Sequence, residues 1–186
     1  MDDLKIIVSC LLGNTEMFSR LIDHYKNMVY NLAYRMSNNF QEAEDISQEA
    51  FLRAFQSLTR FNSSYKFSTW LYQITLNIIR DKFKRKEIDE VSLDTPIETD
   101  DSEFYLQPAD LTNNPEQIIT RQEDARAIQK AILSLPLKYR EVIVLRHLQY
   151  LSYIEITNIL KLPTGTVKVR LYRAREQLRK ILLTSI

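Results

Sequence analysis

Only two glycines occur in 186 residues, and that scarcity constrains the fold more than any other feature of the chain. Glycine supplies the left-handed backbone that tight turns need, and proline, present five times, interrupts helices and central strands. A chain poor in both has few places to turn sharply. With an ordinary apolar content of 45%, it is expected to be all-α and globular. At this length the helices make one domain or two small ones.

Charge divides the chain further. Residues 1–87 carry 12 basic and 10 acidic side chains, a net of +2. Residues 88–118 carry nine acids and no Lys or Arg, and residues 119–186 carry 13 basic and five acidic side chains, a net of +8. The overall charge of +1 hides this segregation. It predicts two small helical modules, 1–87 and 119–186, joined by an acidic flexible strap over 88–118. The second module is cationic enough to be drawn to nucleic acid.

Periodicity supports the two modules. Phe18, Leu21, Ile22, Tyr25, Val29, Leu32, Ala33 and Met36 recur at helical spacing. Asn38-Asn39 ends that helix, and Asn39 caps the next, with Glu42 at the capping-box position. The second helix runs from about Phe40 to Leu58 through Ala43, Ile46, Ala50, Phe51, Ala54 and Phe55. After an Asn62-Ser63-Ser64 loop, Ser68 or Thr69 is placed to cap a third long helix reaching about Lys86. The acidic strap buries too little apolar area to offset its ordering entropy. Asn114-Pro115-Glu116 then starts a helix that continues to about Leu133, and Pro136 starts another.

Within the third helix, Phe67-Ser68-Thr69-Trp70-Leu71-Tyr72 interleaves rings with polar groups. Asn77, Arg80, Lys82, Lys84, Arg85 and Lys86 follow. Rings stack on unpaired bases at roughly 1–3 kcal/mol each, and Lys and Arg track phosphates. Read alone, the segment fits equally well a core helix whose basic end faces solvent.

Residues 151–175 narrow the choice. Ser152 and Glu155 form a capping box before a short helix whose Ile156, Ile159 and Leu160 share one face. Lys161-Leu162-Pro163 makes the turn, and a second helix starts near Thr164. Val167, Leu171, Ala174 and Leu178 form its core stripe, whereas Lys168, Val169, Tyr172 and Arg173 point elsewhere. Two short helices, a tight turn and a basic outward face make a helix-turn-helix that enters a major groove. A left-handed turn at Lys161 would usually call for glycine.

Other functions find little support. Cys10 is the single cysteine, which excludes an intramolecular disulfide and fits a reducing compartment. Asp2 and Asp3 stand where a signal peptide would be basic, and no apolar run approaches the ~20 residues of a membrane span, so the chain is expected in the cytoplasm. His24 and His147 lack metal-ligand spacing, and there is no nucleophile–base set or phosphate loop. No cofactor, metal site or small-molecule substrate is expected, nor an enzyme. The competing reading is a stand-alone helix-turn-helix regulator with an N-terminal sensor or dimerisation bundle. It leaves residues 67–86 and the strap unexplained.

Taken in order, Glu42-Ala43-Glu44-Asp45-Ile46-Ser47-Gln48-Glu49-Ala50-Phe51, Phe67 to Asn77, and Leu135-Pro136-Leu137-Lys138-Tyr139-Arg140 with the hairpin behind it resemble the bacterial extracytoplasmic-function sigma factors. These are promoter-recognition subunits of RNA polymerase. Within the family the likeness runs toward the sigma-W group of Firmicutes. Lys161 stands where the family usually has Gly, and Thr157 where it usually has Ala. The resemblance implies a region two over 1–87 that binds the coiled coil of the largest polymerase subunit and opens the minus-10 element. It implies a region four over 119–186 that binds the flap of the second-largest subunit and reads the minus-35 element. The strap would thread toward the path of nascent RNA. Asp45, Gln48, Glu49 and Leu52 would face polymerase. Lys66, Trp70, Tyr72, Asn77, Arg80, Lys82, Lys84 and Arg85 would meet minus-10 DNA, with Asn77 near a flipped base. Thr166, Lys168, Val169, Arg170, Tyr172, Arg173 and Arg175 would meet minus-35 DNA. Members are usually paired with an anti-sigma factor, often membrane-anchored, that blocks both modules.

Overall fold

The computed structural model describes residues 2–92 and 115–184, which form eight α-helices and no strand. The first module contains α1 (Asp3–Leu11), α2 (Phe18–Ser37), α3 (Phe40–Gln56) and α4 (Phe67–Ser92). The second contains α5 (Pro115–Leu133), α6 (Leu137–Ile143), α7 (Tyr153–Leu160) and α8 (Thr164–Thr184). The strap expected over 88–118 lies outside the described residues between 93 and 114. At its margin α4 runs on to Ser92, six residues past its expected end at Lys86.

Local chemistry sets the turns. Asn38 ends α2 in a left-handed conformation, φ 55° and ψ 30°, which asparagine tolerates better than most residues. Asn39 then returns to extended backbone, and its side-chain oxygen accepts from the Glu42 amide at 2.8 Å. Glu42 does not complete a capping box; its carboxylate accepts instead from Lys86 Nζ at 2.8 Å. Ser68 and Thr69 do not cap α4 either. The helix begins at Phe67, and Thr69 and Trp70 both donate to the Lys66 carbonyl, so the two hydroxyl residues sit inside the first turn. α1 was not expected, although Asp2 accepts from the Lys5 amide at its start and Ile6, Ile7 and Cys10 share its buried face.

The first core gathers Leu21, Val29, Leu32 and Met36 of α2 with Ile46 of α3 and Leu71, Leu76 and Ile79 of α4, all fully buried. Ala43, Ala50 and Ala54 are fully buried too, and their small side chains let α2 and α3 approach closely. In the second module Val142, Leu145, Ile156, Val167, Leu171 and Ala174 form the equivalent centre. A π-helical turn, Val144–Leu148, ends α6.

The modules do not stand apart. Their buried side chains form one continuous cluster. Gln129 of α5, 3% exposed, donates to the Arg35 carbonyl at 3.0 Å and accepts from Arg35 Nη1 at 3.3 Å. Arg140 donates to the Met36 carbonyl at the end of α2 at 2.9 Å and lies over the Phe83 ring of α4. α7 packs against α4.

Candidate functional site

Three surfaces carry the residues singled out by the sequence. The first lies on α3. Asp45, Gln48 and Leu52 are exposed and follow one another at i, i+3 and i+7. Glu49 turns partly away: its carboxylate takes Arg53 Nη2 at 2.5 Å, and Arg53 also reaches Asp81 at 3.7 Å. Beside Gln48 and Leu52 runs an apolar groove between α2 and α3, lined also by Phe18, Ile22, Phe51 and Phe55. Leu52 is 56% exposed, Phe55 38% and Ile22 36%. Ile22 and Phe55 read as core positions by period alone. Phe55 was findable in the second stripe of α3, Asp45, Gln48, Leu52 and Phe55, which continues beyond the buried one; no such signal marks Ile22. Open apolar side chains rimmed by polar ones are suited to a protein partner.

The second surface is α4 from its start to Lys86, with Lys66 just before it. Trp70 is half-buried and packs against Phe61 and Phe67. Tyr72 is 5% exposed; its hydroxyl donates to Gln149 Oε1 at 3.0 Å. Burial pushes that phenol up to about 12, so it remains a donor at neutral pH. Asn77 is exposed, and its side-chain oxygen accepts from Arg80 Nη1 at 3.1 Å. It lines a polar hollow with Arg53, Gln56, Thr59 and Arg60, residues the sequence reading had not singled out. Lys66 pairs with Glu155 at 3.2 Å, and Arg80 grips Glu141 through Nε at 2.5 Å and Nη2 at 3.0 Å. Lys82, Arg85 and Lys86 share a shallow concavity with Asp45 and Glu42, while Lys84 is exposed.

The third surface is α8, positioned by α7 and the turn. The Ser152–Glu155 capping box is present, with both reciprocal bonds. Its backbone and hydroxyl donors, aided by Lys66, hold the Glu155 carboxyl below its ordinary range. Lys161 adopts the left-handed conformation at φ 54° and ψ 43°, as the turn demands despite its Cβ. Thr157, the other departure from the family pattern, lies 3.5 Å from the Thr164 hydroxyl across the turn. Val167, Leu171 and Ala174 face inward. Lys168, Val169, Tyr172 and Arg173 are exposed, and Val169 and Tyr172 are 49% and 67% open. Thr166 and Arg170 are half-buried, and with Arg173 they line a hollow against Lys138 and Tyr139 of α6. Arg175 lies against His147, with Nη2 3.3 Å from Nε2. Burial first, then Arg175 and Arg146, holds the His147 pKa below its ordinary value, which favours a neutral acceptor there.

Among the described residues no cluster of His, Cys, Asp or Glu could hold a metal, and no helix is long and apolar enough to cross a membrane.

Comparison with known proteins gives matches in both modules. The Sigma-70 region 2 profile matches residues 21–87, and the Sigma-70, region 4 profile matches residues 125–178. The chain is 44% identical over 169 residues to the ECF RNA polymerase sigma factor SigW of Bacillus subtilis, covering 90% of each. It is 33% identical over 177 residues to the ECF RNA polymerase sigma-E factor of Escherichia coli, covering 95% of this chain and 92% of that one. Its fold is similar to CnrH, solved with the cytosolic domain of CnrY, at a TM-score of 0.69 and 23% identity over 97% of both chains. It is also similar to RpoE of Bartonella quintana, solved with the anti-sigma factor NepR, at a TM-score of 0.68 and 22% identity, covering 89% of this chain and 96% of that one.

Proposed function

The chain belongs to the extracytoplasmic-function sigma factors, and we propose that its three surfaces divide the work of promoter recognition among them. It is an alternative sigma factor, a transcription initiation factor and not an enzyme. Its partners are core RNA polymerase and promoter DNA, and the phosphodiester chemistry belongs to the polymerase.

In this reading residues 1–87 are region two, 88–118 the linker and 119–186 region four, with α4 crossing the first boundary and α5 the second. The α3 face, Asp45, Gln48, Glu49 and Leu52, together with the groove beside it, receives the coiled coil of the largest polymerase subunit. This groove, beside the exposed Asp45–Leu52 face of α3, is the observation that supports a protein partner there. On α4, Trp70 and Tyr72 flank the opened minus-10 strand. Asn77 reads a base edge, since an amide both donates and accepts. Lys66, Arg80, Lys82, Lys84 and Arg85 hold phosphates. Region four binds the flap of the second-largest subunit and enters the minus-35 major groove with α8. The solved relative from Bartonella quintana was captured with an anti-sigma factor. By the same logic this chain has one, and a membrane-anchored inhibitor would hold it at the membrane.

The minus-35 assignment is testable residue by residue. Lys168→Ala or Arg173→Ala is expected to change which minus-35 sequences are used, by about 1–3 kcal/mol for a bidentate reader of guanine. Arg179, further along α8 and engaged only with exposed Glu176, is a phosphate contact. Arg179→Ala should weaken all sequences alike and flatten the salt dependence. Transcription by core polymerase from a library randomised across the minus-35 element, at two salt concentrations, measures both. If the Lys168 and Arg173 variants keep the parental preference and only the Arg179 variant alters it, α8 does not read bases in this orientation.

A further inference from the structure

One hollow on the second module gathers three cations and no acid. Lys138 of α6 lines it with Arg170 and Arg173 of α8, beside Gly165 and Val169. None of the three has a carboxylate partner among the described residues. Elsewhere cations of this chain are matched: Lys86 holds Glu42, Arg179 holds Glu176, and Arg140 holds three carbonyls. Like charges brought together from two elements repel, and nothing lining the hollow offsets them. Lys138 is also held in place. Its ammonium lies over the ring of Tyr139, 5.2 Å from the centroid, and Tyr139 is buried. Gly165 adds a second sign. It stands in the first turn of α8, where glycine weakens a helix relative to alanine. Neither a left-handed backbone nor crowding calls for glycine there, since a Cβ would meet nothing within 4 Å. The space it leaves open belongs to the hollow.

We infer that Lys138, Gly165 and Arg170 form a seat for one backbone phosphate at the edge of the minus-35 groove, so that α6 holds the strand while α8 reads it. The inference rests on the assignment of α8 to that groove. Charge and place point to this ligand. Val169 and Arg173 belong both to the hollow and to the exposed face of α8, so the hollow opens onto whatever that face enters. Arg170 is half-buried and lines the hollow on the side of Lys138, a place suited to a fixed phosphate and not to a base edge. Lysine meets a phosphate as a point charge and arginine as a planar fork, so the two take one anion from two sides. Gly165 lets that anion come close to the backbone. A phosphate seated there sets the depth and angle at which α8 lies. Lys138 is thus a positioning residue, and it acts on every minus-35 sequence alike.

The test uses the full chain bound to core polymerase. Promoter fragments carry a neutral methylphosphonate in place of one phosphate at a time across the minus-35 element. The parental chain should lose affinity at several linkages. Lys138→Ala should bind the unmodified promoter about fivefold more weakly, and its slope of log K against log salt should be shallower by about one. It should also become indifferent to one linkage at the edge of the element and respond to the others as the parent does. Lys138→Arg should restore all three properties. Gly165→Ala should melt at the same temperature or higher, because alanine favours the helix, and yet bind the promoter about threefold or more weakly. An unchanged salt slope in Lys138→Ala, a loss spread evenly over all linkages, or parental affinity in Gly165→Ala overturns the seat. The underlying assignment fails differently: no linkage of the minus-35 element would then matter to the parental chain.

Discussion

Asp45→Lys combined with Leu52→Asp is expected to abolish association with core polymerase, a loss of at least a hundredfold. Leu52 is more than half exposed and stands at the rim of the apolar groove, and Asp45 lies two turns before it on the same face. A central apolar anchor and a charge at a protein interface each cost about 2 kcal/mol or more when reversed or removed. Neither side chain supports the fold, so stability should change by less than about 0.5 kcal/mol per site. Glu49 is a poorer choice for such a test than its position suggested, because its carboxylate is tied to Arg53. Reversing it would disturb the Arg53–Asp81 contact as well. Undiminished co-purification with core polymerase, from a variant with normal circular dichroism, would remove α3 from the interface.

The second large effect is on stability. Arg140→Met should lower the melting temperature by about 6–12 °C. The buried guanidinium donates to the carbonyls of Leu133 and Leu135, where α5 gives way to the turn before α6, and to that of Met36 at the end of α2. Methionine keeps much of the stem but leaves three carbonyls without a donor. At about 1 kcal/mol or more for each buried unsatisfied group, the loss is about 3 kcal/mol. That corresponds to about 2–4 °C per kcal/mol in a chain of this size. Thermal unfolding followed by circular dichroism measures it, and a shift under 2 °C would show that the three bonds contribute little.

Local features were legible in the sequence because local chemistry decides them. The stripe of α2 and the capping box at Ser152 lie where the residues placed them. At Lys161 the sequence left two outcomes open, a left-handed residue or an altered turn, and the structure has the left-handed one. What could not be read is which face the other module covers. Tyr72 looked like a ring held ready for a base, yet it is buried under the π-helical end of α6. Ile22 and Phe55 looked like core, yet they flank an open groove. The basic run after Asn77 looked uniform. Its members go different ways, Arg80 to Glu141 and Lys86 to Glu42, because their partners are 61 and 44 residues away. Helical periodicity tells that a face is apolar or charged and says nothing of what is brought against it.

Run-off transcription with purified core polymerase on genomic fragments, followed by mapping of the start sites, tests the central claim most directly. The account predicts discrete starts that appear only when this chain is added, each preceded by shared minus-35 and minus-10 sequences. They should be lost with the Asp45→Lys, Leu52→Asp variant. Starts that do not depend on the chain, or tight promoter binding by the chain alone with no transcription on adding core polymerase, would contradict it.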